Sequence, residues 1–551
     1  MMPKFFSMIK NKEITREQVM KDIIAGVIVA VIALPLSIAL GISSGVSPEK
    51  GLTTAIFAGF IISLLGGSKV QIGGPTAAFV VIIYSIIQEY GIGGLVVATI
   101  MAGIMLIIMG ILKFGSLIKY IPQTITIGFT AGIAVTLVST EVKDFLALKI
   151  ENVPAEFFAK WKSYLTNIGT LNTWSLIIGI SCIFIMIFWP KVSKTIPGSM
   201  IALIVATIFV KIFNIPVETI GSRFQEISST LPMPIFPKIN MDVINKLFAP
   251  SITIAILAAL ESLLSATVAD GMISDKHDSN MELIAQGLAN IICGIFGGIP
   301  ATGAIARTAA NVKSNGRSPI SGMVHSVTLL ATMLILMPLA RMIPMSVLSA
   351  ILIIVAYNMS QWKVFKSLLK APKSDVIVLL LTFTCTVIFD LVVAIAIGMI
   401  MTMFLFMKRV SDTTKIRDLV EEKVFDKDTN TVLEKADGRI RVYQVNGPMF
   451  FGVVNEFFDK MKEIESSVGV VILDMRHTHA IDASAIDALT RLLKHCNELN
   501  IKLCLTHVQN QPMKVLNKMG FVVKIGVSHI YETKTEAIEK AYDYVKELEV
   551  S

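Results

Sequence analysis

Twice in this chain a short stretch rich in glycine and proline breaks into a long apolar sequence. The first is Gly73-Gly74-Pro75-Thr76-Ala77-Ala78 and the second Gly297-Gly298-Ile299-Pro300-Ala301-Thr302-Gly303-Ala304. Pro75 and Pro300 lie 225 residues apart, and each break introduces an unusually short apolar run, 75–88 and 303–312. Irregular backbone at membrane depth survives only where it is buried in protein or lines a wet cavity, because lipid offers its N–H and C=O groups no partner. A matched pair of such segments in two halves of a chain is the pattern of an inverted-repeat transporter. Each break also leaves a helix N-terminus whose free N–H groups and positive dipole end face the cavity. Two such ends facing each other make an anion site, so the expectation is a membrane anion transporter.

That expectation requires most of the chain to lie in lipid. Of its 551 residues 54% are hydrophobic and only 16% charged, where soluble domains carry about a quarter charged residues. Mean hydropathy is +0.70. Runs of spanning size fall near 22–41, 50–66, 93–112, 124–142, 173–190 and 198–213. A second series falls near 250–269, 283–297, 320–340, 346–358 and 375–407. The last is too long for one span of about 20 residues, and Asp390 in its middle predicts a tight hairpin of two helices. Counting 75–88 and 303–312 as half-helices, the predicted fold is an α-helical polytopic membrane protein. It has 14 transmembrane segments as a 7+7 inverted repeat, with half-helices third and tenth.

The net charge of +8 does not imply nucleic acid, because the basic residues sit in short loops between apolar runs, the arrangement that orients spans. Lys113, Lys119, Lys191, Lys194, Lys313, Arg317, Lys363, Lys366, Lys370 and Lys373 mark the cytoplasmic side, and Lys408 and Arg409 anchor the last helix there. The longest outside loops, 144–172 and 214–249, carry mixed charge. A multi-pass protein of the plasma membrane with both termini cytoplasmic is expected. No small-residue cleavage site follows the first apolar run, which argues against a removable signal peptide. Cys182, Cys293, Cys385, Cys496 and Cys504 are unpatterned, so reduced thiols are expected rather than a disulfide framework.

After Arg409 the composition changes. Residues 410–438 are charged and read as a linker between the transport domain, 22–409, and a C-terminal domain, 439–551; residues 1–21 read as a cytoplasmic N-terminal segment. The tail alternates: a strand at Val468–Leu473, a helix over Ala483–Cys496, a strand at Lys502–Thr506, and helices over 510–519 and 535–548. Such alternation predicts a small α/β domain with its own core.

These features, in this order, resemble the SulP / solute carrier 26 anion transporters of the bacterial sulfate permease type, across essentially the whole chain. Asp22-Ile23-Ile24-Ala25-Gly26-Val27 and Ala33-Leu34-Pro35-Leu36-Ser37 look like that family's first helix, and Gly73 to Phe79 its third. Phe296 to Val312 resembles its tenth, followed by Asn315-Gly316-Arg317-Ser318-Pro319-Ile320-Ser321-Gly322. The tail, with Val471-Ile472-Leu473-Asp474 and Ile481-Asp482-Ala483-Ser484-Ala485, is similar to a STAS domain. The resemblance implies a core and a gate domain, a homodimer, and anions bound between the third and tenth helices; among subgroups it leans toward dicarboxylate carriers.

Thr76, Ala77 and Ala78 begin one half-helix; Gly303, Ala304, Ile305, Ala306 and Arg307 lie in the other. Small side chains let an anion reach backbone N–H groups, whose hydrogen bonds to it are charge-assisted. Thr76 and Thr302 would add hydroxyl donors, and Arg307 a full positive charge. The same small residues would also suit close helix packing, and Arg307 could instead snorkel toward the cytoplasmic end. Glu261 sits in Ala258-Ala259-Leu260-Glu261-Ser262-Leu263-Leu264-Ser265, inside an otherwise uncharged span. An ionisable group there is costly and marks function. Three roles stay open for Glu261: a proton carrier coupled to anion movement, a structural hydrogen-bonding group, or sodium coordination together with Ser265 one turn on. The sodium role comes from the resemblance, since some sodium-coupled bicarbonate members carry an aspartate at this position.

Asp270 and Glu282 read as membrane-surface residues and His325 as a hydrogen-bonded packing histidine. STAS domains that act as phosphoswitches carry a serine directly after the aspartate, where this chain has Ala483 with Ser484 one further on, so transfer of that switch is doubtful. His477 and His479 alone make a poor metal site. No Gly-x4-Gly-Lys-Ser/Thr loop exists for ATP, and no nucleophile–base pair stands out in the tail. The expectation is therefore no enzyme and no cofactor. It is a secondary active transporter of sulfate or a C4-dicarboxylate, coupled to protons and working by alternating access. A sodium-coupled bicarbonate transporter and an uncoupled anion channel are the alternatives. A cytosolic partner at the STAS domain stays open.

Overall fold

The computed structural model describes residues 2–116, 122–193, 197–224, 228–230, 232–234, 237, 241–389, 391–422, 425, 427–462 and 467–550. The chain divides into two compact units, 1–399 and 400–551.

The first unit is helical. It runs through α1 (Lys4–Lys10), α2 (Arg16–Ser43), α3 (Pro48–Leu65), β1 (Gly73–Gly74), α4 (Val80–Ile111), α5 (Gln123–Leu146), α6 (Phe157–Thr166), α7 (Thr173–Phe188), α8 (Gly198–Ile212) and α9 (Ile220–Arg223). The second series comprises α10 (Met241–Ile273), α11 (Ser279–Ile295), β2 (Thr302–Gly303), α12 (Ile305–Lys313), α13 (Ile320–Ala340), α14 (Met345–Met359), α15 (Trp362–Leu368), α16 (Lys373–Ile388) and α17 (Leu391–Thr413), which runs across the boundary at residue 399 into the second unit. Among the described residues nine helices are long and apolar enough to cross a membrane.

Local chemistry explains the boundaries. Thr15 caps α2 by accepting a hydrogen bond from Gln18 N, which starts that helix before residue 22, and α1 occupies part of the expected N-terminal segment. Runs 75–88 and 93–112 join into one continuous helical stretch, kinked at Gly91 with φ +70°. The long run 375–407 separates into α16 and α17. Asp390, expected at their turn, lies outside the described residues, as do Lys119 and Lys194.

Two sets of helices pack mainly among themselves. One contains α2, α3, α4, α10, α11, α12 and α13; the other contains α5, α7, α8, α14 and α16. Within the first set α4 and α11 approach closely at Gly103 and Gly287: a Cβ on either would press on the other's carbonyl, at 2.6 and 2.5 Å. Small residues at such crossings allow backbone contact in place of side-chain burial.

The second unit has a mixed sheet in the order β3 (Lys415–Asp418), β4 (Ile440–Asn446), β5 (Val470–His477), β6 (Lys502–Thr506) and β7 (Ile530–Tyr531). β3 is antiparallel to β4 and the rest are parallel. Its helices are α18 (Lys427–Lys435), α19 (Val454–Lys462), α20 (Ala483–Glu498), α21 (Asn510–Lys518), α22 (Phe521–Ile525) and α23 (Lys534–Val550). On β5, Val471 and Leu473 join the core containing Phe457, Leu489 and Leu492. Val470 and Ile472 face the opposite core, with Leu433, Ile538 and Val545. Helices on both faces explain why this strand reads as unbroken apolar sequence. The expected linker is corrected here: β3 and α18 lie within 410–438 and belong to this domain. An edge strand shows half its residues to solvent, so Lys415-Ile416-Arg417-Asp418 looks like a charged connector although Ile416 is buried.

Candidate functional site

The two broken segments meet. β1 and β2 form a minimal antiparallel ladder, Gly73 opposite Gly303 and Gly74 opposite Thr302, and Ala304 N donates to Ile72 O at 2.8 Å. The interrupted backbone thus satisfies part of its hydrogen bonding by crossing its counterpart. Glycine is required there: a Cβ on Gly303 would run into the Gln71 side chain, and one on Gly74, at φ +153°, into Arg307 Nη1.

Buried polar side chains hold this crossing in place. Glu282 is completely buried and accepts hydrogen bonds from Gly67 N, Ser68 N, Gln71 Nε2, Ser262 Oγ and Gln286 Nε2. Glu282, expected at the membrane surface, is thus enclosed by protein rather than open to solvent. The loop after α3 folds beneath α11 and brings its own donors to the carboxylate. Asn290 pins the second break, donating to Ala301 O and accepting from Ala301 N. Thr308 Oγ1 accepts from Ile72 N at 3.0 Å.

Beyond the ladder the chain enters a 3-10 turn, Ala77–Phe79, that leads into α4, and on the other side α12. Neither helix start has a side-chain cap. Both open on a cavity of about 260 Å³ lined by Pro75, Thr76, Ala77, Gly303, Ala304, Ile305, Ala306 and Arg307. Leu36 and Leu40 of α2, Leu260, Glu261 and Leu264 of α10, the first turns of α5, the end of α14 and Ile395 of α17 form the rest of its wall.

Thr76 Oγ1 donates to Glu261 Oε2 at 2.7 Å, so its hydroxyl serves the carboxylate and links the first break to α10. Arg307 is 1% exposed. Its Nη2 donates to Pro75 O at 3.1 Å and Ser37 Oγ at 3.4 Å, while Nε and Nη1 are buried without partners. It does not snorkel, because Gly74 leaves it room beneath the ladder.

Several expected residues lie elsewhere. Thr302 is buried and donates to Ala258 O at 2.7 Å, outside the cavity lining. Ser265 donates to Thr308 Oγ1 at 3.3 Å. Ala78 lines a second cavity instead. Asp270 is half-buried and accepts from His277. His325, expected to be hydrogen-bonded, is buried with neither ring nitrogen partnered. Thr126, Thr130, Asn358 and Gln361 line the cavity without having been foreseen; a threonine in the first half of the run 124–142, or an amide at or just past the end of 346–358, carries no signal that other helix residues lack.

In the second unit Asp474 is buried and takes hydrogen bonds from Gln444 Nε2 and Arg476 N, with His507 Nδ1 at 2.9 Å and Lys534 Nζ at 3.5 Å. Burial alone would raise this carboxyl, but the Gln444 and Arg476 hydrogen bonds, with the Lys534 ammonium and the His507 ring alongside, hold it below its ordinary value. Asp482 caps α20 through Ala485 N, and Ser484 lies half-buried in that first turn.

Comparison with known proteins gives the family and the fold. The sulfate permease family matches residues 19–382 and the STAS domain residues 432–537. The chain is 39% identical to the putative sulfate transporter YvdB of Bacillus subtilis (strain 168), over 94% of this chain and 97% of that one. It is 28% identical to the bicarbonate transporter BicA of a Synechocystis species, over 89% of this chain and 88% of that one. The solved structure of murine Solute Carrier 26 family member A9, an anion transporter in the inward-facing state, superposes with a TM-score of 0.84 at 17% identity, covering 98% of this chain and 94% of the other.

Proposed function

The chain belongs to the sulfate permease family and is a multi-pass membrane anion transporter with a STAS domain, and on that premise we propose that it is a secondary active, proton-coupled carrier of small oxyanions of the sulfate and C4-dicarboxylate class. One observation carries the reading: two uncapped helix starts and the unsatisfied Arg307 guanidinium converge on one cavity, with the Glu261 carboxylate bonded to Thr76 at its wall. The helix ends and Arg307 attract an anion. Protonated Glu261 removes the one negative charge from the wall, so proton and anion binding favour each other. Thr76, Ala77, Gly303, Ala304, Ala306 and Arg307 are the proposed anion-binding residues. Thr302 holds the Ala258 carbonyl, Ser265 the Thr308 hydroxyl, and Ala78 lines the other cavity.

The 14-segment, 7+7 reading assigns α2, α3, the two parts of α4, α5, α7 and α8 to the first half. It assigns α10, α11, α12, α13, α14, α16 and α17 to the second. Both termini are then cytoplasmic, in the plasma membrane, and the cavity opens inward, at the start of α5 and the end of α14. Alternating access is movement of one helix set against the other. A homodimer and a cytosolic partner at the STAS domain belong to the same proposal. The identity to the bicarbonate transporter BicA favours a second reading, bicarbonate transport; the family resemblance would add sodium coupling, with Glu261 in the coupling role.

Uptake of labelled sulfate, succinate and bicarbonate into proteoliposomes, under an inward proton or an inward sodium gradient, separates these. Proton-driven accumulation of sulfate or succinate is expected. Sodium-driven bicarbonate uptake would favour the second reading, and conductance without accumulation an uncoupled channel.

A further inference from the structure

A second cavity of about 270 Å³ continues the line of the first. Along α5, Thr126 and Thr130 line the first, while Thr136 and Thr140 line the second. At the start of the α4 stretch Ala77 faces one and Ala78 the other. Between them Phe129 and Ile133, each 3% exposed, and Ala78 belong to one apolar cluster. The two cavities are thus separated by a thin apolar layer.

The second cavity contains a buried lysine whose nearest buried carboxylate, Glu141, acts on it from beyond ion-pair distance. Lys160 of α6 lines it and is 5% exposed. Its Nζ donates to Thr140 Oγ1 at 3.2 Å, which uses one of three ammonium donors. Among the described residues no carboxylate forms an ion pair with it. Glu141 of α5 is buried and takes its hydrogen bond from Ser43 Oγ, Asp144 pairs with Arg223, and Glu156, the residue that precedes α6 and lines the same cavity, is exposed. The threonine hydroxyls there, Thr136, Thr140 and Thr386, donate to carbonyls of their own helices. Tyr84 donates to Val153 O, which leaves Lys160 as the buried cationic group in this cavity with donors to spare, beside the exposed Ser85 hydroxyl. A buried ammonium in that state is costly unless an anion completes it.

We infer that this cavity is a second, low-affinity docking site for a small oxyanion, with Lys160 as its ligand, on the face of the membrane opposite the first. This rests on the proposed topology, which puts α6 and the later part of α5 outside. An anion arriving there meets Lys160 first and passes to the helix ends when the Phe129–Ile133 layer opens.

The test compares labelled sulfate transport by the full-length protein in right-side-out and inside-out membrane vesicles, with succinate and bicarbonate run in parallel. Lys160→Met raises the half-saturating concentration about tenfold from the external face, the scale of losing one charged hydrogen-bond partner, and changes it less than twofold from the internal face. Lys160→Arg restores it. Glu156→Lys, a substitution at an exposed position that adds a cation to the same cavity, lowers the external value severalfold. An unchanged external value in Lys160→Met or in Glu156→Lys, or an equal change on both faces, overturns the inference while leaving transport intact. If the wild type carries none of the three anions, the transport reading itself fails, and this one with it.

Discussion

Replacing Arg307 with alanine asks whether the guanidinium is an anion ligand or a packing element. The side chain is 1% exposed, and of its five donors only those on Nη2 have partners, at 3.1 and 3.4 Å. Nε and Nη1 are left without any. An oxyanion at the helix starts would complete them with charge-assisted hydrogen bonds, each contributing about 1.5–3 kcal/mol. The uncapped ends of α12 and of the turn before α4 remain in the variant, so part of the attraction survives. The expected loss is about 1–3 kcal/mol, or roughly 5- to 150-fold in affinity. Lysine keeps the charge but not the planar fork, and should lose less. Equilibrium binding of labelled sulfate, succinate or bicarbonate, whichever the wild type retains, measures this on detergent-purified protein of matched thermal stability. Affinity within twofold of wild type in Arg307→Ala would refute the reasoning and leave Arg307 a helix-packing residue.

Two further predictions concern the frame. Gly303→Ala forces a Cβ into the Gln71 amide, which also holds Ser262 and Glu282; it should cost about 2–3 kcal/mol, lowering the unfolding temperature of the purified protein. Gly93→Ala, whose Cβ meets nothing within 4 Å, should be nearly neutral, and equal effects would contradict the packing argument. In the C-terminal unit, Asp474 has a depressed folded-state pKa. Its contribution to stability is therefore present above the ordinary carboxylate range, near 3.9, and lost as pH falls through that range and below it. Chemical denaturation of fragment 411–551 should show that loss in wild type and a weaker dependence in Asp474→Asn; identical pH profiles would remove Asp474 from the account.

The elements legible in the sequence were those with a local signal. Apolar runs such as 173–190 and 198–213 became α7 and α8, and the glycine–proline breaks marked where helices restart. What escaped depended on distant partners. Nothing near Glu282 announces that Gly67, Ser68 and Gln71 will surround it, and a charged residue opening an apolar run looks like a membrane-surface residue. The ladder between β1 and β2 has two residues per strand, too short for any alternation. Thr302 and Thr76 sit where the sequence puts them, but a hydroxyl's partner is settled by whatever carbonyl or carboxylate the fold brings within reach. Lys160 lies in a loop of mixed charge, and its burial comes from the packing of α6 on α5 and α16.

The central claim is that Glu261 couples a proton to anion movement. Proteoliposomes containing wild type or Glu261→Gln, loaded at neutral pH and diluted into acidic buffer with the labelled anion that wild type carries, test it directly. Wild type should accumulate the anion above its equilibrium distribution. The variant keeps the hydrogen bond from Thr76 and the neutral charge of a protonated carboxyl, so it should still bind the anion and exchange it across the membrane without accumulating it. Full accumulation by Glu261→Gln under the same gradient would contradict the account.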